Sequence, residues 1–227
     1  GKTTAMEMIS GLRPPTSGEV RIDGQPVRPF APQRALIGVQ LQETGLPQRL
    51  KVREAVRAVA ALYADPGPVE RIVAQLGLDA RAAQTIDSLS GGWARRLDVA
   101  LACIGRPRAL VLDEPTTGLD PVSKARLHDL ILARVDDEAT IVMTTHDLAE
   151  AERLASRVLI MNEGRIIADG TVTALRERLD RGAEITWVQD GTHHVHSTHC
   201  PERFVKELDL DAISGLTITR PTLEETY

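Results

Sequence analysis

The sequence predicts an α/β fold in which a mostly parallel sheet carries an inserted helical lobe and ends in a small α+β extension. Residues 109–112 are apolar throughout, which suits a parallel strand buried on both faces. Residues 52–105 have helical spacing and no long strand, which indicates a separate helical lobe. Near the end, Asp190-Gly191 separates two strand-like runs, as in a hairpin.

Composition sets broad limits on function. The chain has 227 residues and 42% hydrophobic residues, enough for one large domain or a core with a lobe. The net charge of −5 argues against a nucleic-acid partner. Two cysteines, Cys103 and Cys200, imply no disulfide framework and fit a reducing compartment. No run is long enough for an apolar transmembrane helix, so we expect any work at a membrane to depend on a partner.

The chain begins with Gly1-Lys2-Thr3-Thr4, which matches the end of the phosphate-binding pattern G-x-x-x-x-G-K-[ST]. In such a loop Lys2 would reach the β- and γ-phosphates, and the Thr3 hydroxyl would enter a Mg²⁺ shell. A frayed helix start is the alternative, so the interpretation depends on acidic partners downstream. Because neither Met nor a strand precedes Gly1, we expect the sequence to be a fragment.

The first part of the chain predicts a helix, a hairpin and a strand. The helix covers residues 3–12, and Asp23-Gly24 is a hairpin turn signal. A short strand over residues 36–41 ends at Gln42. A glutamine just past a strand could ligate Mg²⁺ or position water, and an exposed loop amide is the alternative. Gln40 competes with Gln42, because only the register separates them.

The helical lobe contains a second candidate phosphate site. Ser90 can cap the helix that follows it, and Gly91 and Gly92 let the backbone approach an anion closely. This pattern favours a helix N-terminus that faces phosphate, with a simple capped helix as the alternative. We expect Arg95-Arg96 to lie on a solvated face and assign them no role.

Two acids follow the apolar strand directly, and a histidine follows the next strand. Asp113 and Glu114 come after residues 109–112, and ligands of parallel sheets sit beyond the carboxyl ends of the strands. One acid can hold a Mg²⁺ shell while the next polarises a water, although a strand followed by an acidic turn is the alternative. A strand over residues 139–143 leads to His146, which we expect at the same sheet edge.

Together these residues resemble the ATP-binding subunit of an ABC transporter, and the resemblance covers nearly the whole chain. The motifs that carry it are LSGG at 89–92, LVLDEP at 110–115, GLD at 118–120 and TTHD at 144–147. The resemblance implies a P-loop NTPase (RecA-like) fold. It places the nucleotide-binding core in residues 1–50 and 106–180, the helical signature lobe in 51–105 and a C-terminal extension in 181–227.

The resemblance also implies ATP hydrolysis, with ATP and Mg²⁺ as cofactors, and a role for each matched position. The catalytic residues would be the general base Glu114, the switch histidine His146 and the nucleotide-sensing Gln42. The Mg²⁺ shell would involve Thr3, Gln42 and Asp113. Nucleotide contacts would come from Gly1, Lys2, Thr3, Thr4, the signature residues Ser90, Gly91 and Gly92, and Asp120 in the loop that links two ATP sites.

The resemblance further implies the assembly. Two nucleotide-binding subunits would form a head-to-tail dimer on a polytopic membrane permease subunit, at the cytoplasmic face of the cell membrane. The tail LTITRPTLEETY is similar to that of daunorubicin-type multidrug exporters, which implies export linked to antibiotic resistance. A soluble ABC ATPase acting on ribosomes or DNA, or an importer ATPase, is the alternative.

Two departures from the family pattern bear on function. Trp93 stands where the family usually has a glutamine after LSGG. The family's opening strands and most of its phosphate loop lie before Gly1, so we expect these residues alone to bind ATP poorly and to be inactive.

A histidine-rich segment near the end of the chain suggests a metal site at first sight. It contains His193, His194, His196 and His199, next to Cys200. Strand alternation would place His194 and His196 on one face and the other two histidines on the opposite face. Because the cluster is split in this way, we expect no metal site.

Overall fold

The computed structural model describes residues 1–28, 35–41, 45–178, 183–198, 200–210 and 212–219. The chain forms two compact units, Gly1–Asp147 and Leu148–Tyr227. Gln42, one of the predicted site residues, lies outside the described residues.

A three-stranded parallel sheet is the centre of the first unit. Its order is β3 (Ile37–Gln40), β4 (Ala109–Asp113) and β5 (Thr140–Thr144). All five residues of β4 are buried, as an unbroken apolar run in a central parallel strand should be. The register pairs Gln40 with Leu112 and Asp113 with Thr144, so the three strands end together at one edge.

A helix and a small hairpin cover the sheet. Helix α1 (Lys2–Ile9) packs against β4, and the hairpin of β1 (Arg21–Ile22) and β2 (Gln25–Pro26) has the predicted turn. One apolar cluster joins helix, hairpin and sheet through Met6, Val27, Ile37 and Val111. This packing fixes the start of α1 relative to the acidic end of β4.

Residues 52–103 form helices and 3₁₀ turns, as their spacing predicts. They contain α2 (Val52–Ala60), α3 (Val69–Gln75), α4 (Gly91–Cys103) and 3₁₀ turns at Leu78–Arg81 and Ile86–Ser88. Helix α4 lies directly against β3. The packing is so close that a Cβ atom at Gly38 would sit 2.0 Å from the carbonyl oxygen of Ala102. The absence of a side chain at Gly38 therefore lets the lobe approach the sheet. Helix α5 (Pro121–Asp136) then connects β4 to β5, with Pro121 in its first turn as predicted.

The second unit contains two antiparallel sheets. A pair of strands, β6 (Val158–Asn162) and β7 (Arg165–Gly170), follows helix α6 (Leu148–Leu154) and precedes α7 (Val172–Arg178). The predicted hairpin is present as β8 (Ala183–Gln189) and β9 (Thr192–Thr198), followed by α8 (Pro201–Glu207). A further strand, β10 (Ile213–Thr219), pairs with β8 and was not predicted.

The histidines of β9 take part in aromatic stacking. The His194 ring stacks on Trp187 at 5.1 Å, and the His196 ring stacks on Phe204 at 3.8 Å between centroids. These two histidines share a face, as the alternation predicts, while His199 lies outside the described residues. Among the described residues of this unit, no group of three or more histidine, cysteine or acidic side chains could hold a metal ion. Within the part of the chain that the structure describes, no helix is both long and apolar enough to cross a membrane.

Candidate functional site

The two acids at the end of β4 are held by one threonine of β5. The Thr144 hydroxyl donates to the Asp113 carboxylate and accepts a hydrogen bond from the Glu114 backbone nitrogen at 2.9 Å. Asp113 is buried within the sheet edge, whereas Glu114 turns away from the strand with a φ of 48°. The change of backbone direction gives adjacent acids different environments, one inside the protein and one facing the site.

The Glu114 carboxylate is the meeting point of residues that are far apart in the sequence. It lies 3.6 Å from Lys2 Nζ and 3.3 Å from His146 Nδ1, and it accepts a hydrogen bond from the Thr117 hydroxyl at 3.1 Å. Lys2 Nζ also donates to the Thr145 carbonyl oxygen at 3.4 Å. The first turn of α1, the end of β4 and the end of β5 thus converge on one carboxylate. The sheet-edge argument predicts this for the ends of the two strands.

The electrostatic surroundings keep Glu114 ionised. Its partial burial acts to raise the pKa, but the hydrogen bond from Thr117 and the charges of His146 and Lys2 outweigh that effect. The pKa of Glu114 is therefore lower than the usual value for a glutamate. A carboxylate that is charged at neutral pH can accept a hydrogen bond from a water and orient it.

Asp113, at the end of β4, and Thr3 provide oxygen donors that fit Mg²⁺. Oδ2 of Asp113 is buried and has no hydrogen-bond partner among the described residues. A buried carboxylate oxygen of this kind is costly unless a cation compensates it, and oxygen donors suit Mg²⁺. Thr3, in the first turn of α1, is the second candidate ligand on this chain.

Gln40, the alternative to Gln42, is occupied differently. Its side chain is 1% exposed, and Nε2 donates to the carbonyl oxygens of Leu41 at 2.8 Å and Asp113 at 3.3 Å. The side chain of Gln40 therefore links the end of β3 to the end of β4 by hydrogen bonds to main-chain carbonyl oxygens. The choice between the two glutamines as a Mg²⁺ ligand stays a prediction.

A second cluster surrounds the start of α4. Ser90 occupies the N-cap position, and its hydroxyl makes no capping hydrogen bond. Gly91 and Gly92 form the first turn and, with Ser90, line a cleft of about 460 Å³. The cleft is completed by Trp93, Arg95, Arg96, Thr117, Gly118 and Asp120.

The loop after β4 connects the two clusters. Thr117 bonds to Glu114 at one end of the loop, and Gly118 lines the signature cleft. Asp120 closes the loop as the N-cap of α5, where it accepts hydrogen bonds from the Ser123 nitrogen at 3.0 Å and the Ser123 hydroxyl. These bonds lower the pKa of Asp120, so it remains an anion beside the cleft.

Comparison with known proteins settles the family. The sequence matches the ABC transporter family over residues 1–117 of 227, which is just over half of the chain. The chain belongs to the ABC transporter family. It is 34% identical over 194 residues to ABC transporter A family member 1 of Dictyostelium discoideum, covering 83% of this chain and 22% of that protein. It is also 35% identical over 181 residues to Nod factor export ATP-binding protein I of Paraburkholderia xenovorans, covering 77% of this chain and 60% of that one.

Solved structures agree with this assignment. A structure described as the ATP-binding subunit of an ABC transporter superposes with a TM-score of 0.70 at 26% identity, covering 79% of this chain and 77% of that chain. The P-loop NTPase fold and the recognition of an ABC ATP-binding domain are thereby confirmed. The chain spans only part of the length of the curated relatives it matches, from 22% to 60% for the two named above.

In this ABC domain, one prediction about the signature helix is wrong. Arg96 was expected on a solvated face, but it is only 6% exposed. Its Nη1 donates to the Leu76 carbonyl oxygen at 3.1 Å, and its guanidinium carbon lies 3.4 Å from the centre of the Trp93 ring. A signal for this was available, because Arg96 is three and four residues before the buried Val99 and Ala100 and so shares their helix face.

The contacts of several other site residues could not be predicted from the sequence. Thr117 and Thr144 fix the carboxylates, although only their neighbours were assigned roles. The Lys124 ammonium contacts the Asp147 carboxylate at 2.5 Å, which links α5 to the residue after His146. Such contacts depend on the fold, since 23 positions separate the two residues.

Proposed function

We propose that this chain is the ATP-binding and ATP-hydrolysing subunit of an exporter. It powers the export of a drug, antibiotic or other small amphipathic compound through a separate polytopic membrane permease subunit. The observation that carries the proposal is the convergence of Lys2 and His146 on Glu114, beside the buried Asp113.

The arrangement suits phosphoryl transfer to water, which needs positioned groups more than covalent catalysis. Lys2 binds the β- and γ-phosphates, and His146 binds the γ-phosphate from the end of β5. Glu114 accepts a hydrogen bond from the attacking water and orients it. Asp113 and Thr3 would hold Mg²⁺, with Gln42 as a further predicted ligand, and the bound ion would supply positive charge near the phosphate oxygens.

The signature cleft acts on the nucleotide of a second subunit. Ser90, Gly91 and Gly92 line a cleft separate from the group of side chains around Glu114. In the proposed head-to-tail dimer, these residues contact the γ-phosphate that the opposite subunit holds. The loop from Thr117 to Asp120 contacts both clusters and would report the state of one site to the other.

The relatives support export and a membrane location. One relative is named as a Nod factor export protein and another as an A-family ABC transporter. A chain of this family would work at the cytoplasmic face of the membrane through its permease. The multidrug subgroup rests on the resemblance of the tail, of which residues 220–227 lie outside the described residues.

The first experiment tests the role of Glu114 in the intact protein. Glu114→Gln keeps the size of the side chain but removes its charge, so we expect ATP hydrolysis to fall by about 100-fold or more while ATP binding stays within about threefold. The matched control is Glu70→Gln, an exposed glutamate on α3. Hydrolysis by Glu114→Gln close to the wild-type rate would refute the assignment.

A second experiment tests export. Inverted membrane vesicles that contain the intact protein and its permease should accumulate a fluorescent amphipathic drug when ATP is added. The same vesicles with Glu114→Gln should not accumulate it. ATP hydrolysis without ATP-dependent accumulation of such compounds would contradict the proposed substrate class.

A further inference from the structure

Trp93 occupies a position at the signature where its ring packs into the helical lobe. The ring centre lies 3.4 Å from the guanidinium carbon of Arg96 and 5.0 Å from that of Arg81. Its Cη2 atom is 3.8 Å from the point where a Cβ atom at Gly77 would sit. The ring thus lies among residues of α4, the end of α3 and the 3₁₀ turn at Leu78–Arg81.

Arg96 depends on this ring for its environment. The side chain is 6% exposed, and its Nη1 donates to the Leu76 carbonyl oxygen at 3.1 Å. Nε of Arg96 is buried without a hydrogen-bond partner among the described residues. The aromatic face compensates part of that loss, because the negative face of an aromatic ring attracts a desolvated cation.

The charges around Arg96 add to the need for its contact with the Trp93 ring. Burial lowers the pKa of Arg96, Asp120 acts to raise it, and the like charges of Arg126 and Arg81 lower it again. Arg126 approaches from α5, with Nη1 2.8 Å from the Cβ position of Gly77. Arg96 and Arg126 therefore both lie close to Gly77 at the end of α3. The electron-rich face of Trp93 lies against Arg96 and Arg81.

We propose that Trp93 is a positioning residue that holds Arg96, fastens the first turn of α4 to the end of α3 and so sets the position of Ser90, Gly91 and Gly92. The inference rests on the proposed function, since the position of these three residues matters for hydrolysis only if they contact phosphate. Position 93 then acts through Arg96, and no hydrogen bond from its side chain to the nucleotide is required.

The test compares three substitutions of Trp93 in the intact protein. Trp93→Phe keeps an aromatic face over Arg96, whereas Trp93→Leu and Trp93→Gln remove it. We expect the last two to lower kcat by about tenfold, the size of one cation–π contact, and Trp93→Phe to stay within about threefold of the wild type. The dissociation constant for ATP, measured by isothermal titration with Glu114→Gln in every variant, should change by less than about twofold, because ATP binds at the other cluster.

A double-mutant cycle gives a second readout that does not rely on one variant. Arg96→Lys keeps the charge but loses the flat guanidinium, so it should lower kcat by a similar factor as Trp93→Gln. Combining the two changes should cause little further loss, because both break the same contact. Losses that multiply would overturn the inference, as would a Trp93→Gln protein with wild-type kcat or a Trp93→Phe protein as impaired as Trp93→Leu.

Controls separate this inference from the proposed function. Trp187→Phe changes the other tryptophan of the chain, and Arg57→Gln removes an exposed arginine from the same lobe; both should retain kcat within about twofold. Thermal melting of each variant identifies any loss of folding. A wild-type protein without ATPase activity would refute the proposed function and the positioning role together, whereas an active wild type with insensitive Trp93 variants would refute the positioning role alone.

Discussion

At the scale of single residues, Thr144 determines how both acids of the site are held. Its hydroxyl is the donor to Asp113 and the acceptor for the Glu114 nitrogen, and the residue is buried. Removing the hydroxyl leaves a buried carboxylate without its donor, which costs more than an ordinary hydrogen bond. The geometry of the acids is therefore set from the neighbouring strand.

We expect Thr144→Val to lower the free energy of unfolding by about 2–3 kcal/mol and to reduce ATP hydrolysis by about tenfold or more. Thr144→Ser keeps the hydroxyl and should lose less than about 1 kcal/mol. Urea denaturation and a steady-state ATPase assay measure both effects. Equal stability of the valine and serine variants would show that the hydroxyl does not hold the acids.

The lowered pKa of Glu114 predicts how stability depends on pH. The carboxylate ionises more readily in the folded protein than at its ordinary value of 4.5, so its charge stabilises the fold above that pH. The contribution is lost as the pH falls through the lower folded-state value. The difference in unfolding free energy between wild type and Glu114→Gln should therefore shrink as the pH falls below 4.5. Chemical denaturation over this pH range checks it, and a difference that grows on acidification would contradict the sign.

At the scale of elements, the contact between β3 and α4 sets the position of the helical lobe. The predicted Cβ position at Gly38 is 2.0 Å from a backbone oxygen of α4, which leaves no room for a methyl group. We expect Gly38→Ala to lower the free energy of unfolding by about 2–3 kcal/mol or to separate the helix from the sheet. Gly45→Ala is the control, because none of the described residues beyond its chain neighbours lies within 4 Å of that Cβ position, and it should change stability by less than about 1 kcal/mol. Urea denaturation of the two variants measures the difference, and equal stability would contradict the close packing.

Elements whose pattern is local were predictable from the sequence. Local sequence patterns predicted three of them: the apolar run of β4, the helical spacing of residues 52–105 and the Asp190-Gly191 hairpin. Strand β10 was missed because Gly215 interrupts its alternation of apolar and polar residues, at the same place where its pairing with β8 shifts register. The sheet-edge argument also predicted that Glu114 and His146 lie together, and the phosphate-loop pattern at Lys2 called for acidic partners downstream.

Contacts that depend on the tertiary fold were not predictable in this way. The positive φ of Glu114 turns its side chain towards Thr117, and no local pattern indicates that turn. Trp93 and Arg96 meet three residues apart on one helix face, but a pair of adjacent arginines suggested exposure. The functional roles of the predicted site residues and the division into core, lobe and extension stay predictions.

At the scale of the whole molecule, each ATP site of the proposed dimer combines two different parts of two chains. The core of one subunit would supply Lys2, Glu114 and His146, and the other subunit would supply the cleft at Ser90. This division follows from the separation of the two clusters within one chain, which the loop at Thr117 and Gly118 connects. It also predicts a difference between two ways of placing the same pair of mutations.

When one copy carries Glu114→Gln and the other carries Ser90→Arg, one site has both defects and the second site is intact. When a single copy carries both changes and its partner is wild type, each site has one defect. We therefore expect the first mixed dimer to hydrolyse ATP about tenfold faster than the second. Dimers are purified through two different affinity tags and assayed at saturating ATP. If each subunit instead contained a complete site, the second dimer would be the faster one, because its wild-type copy would be untouched.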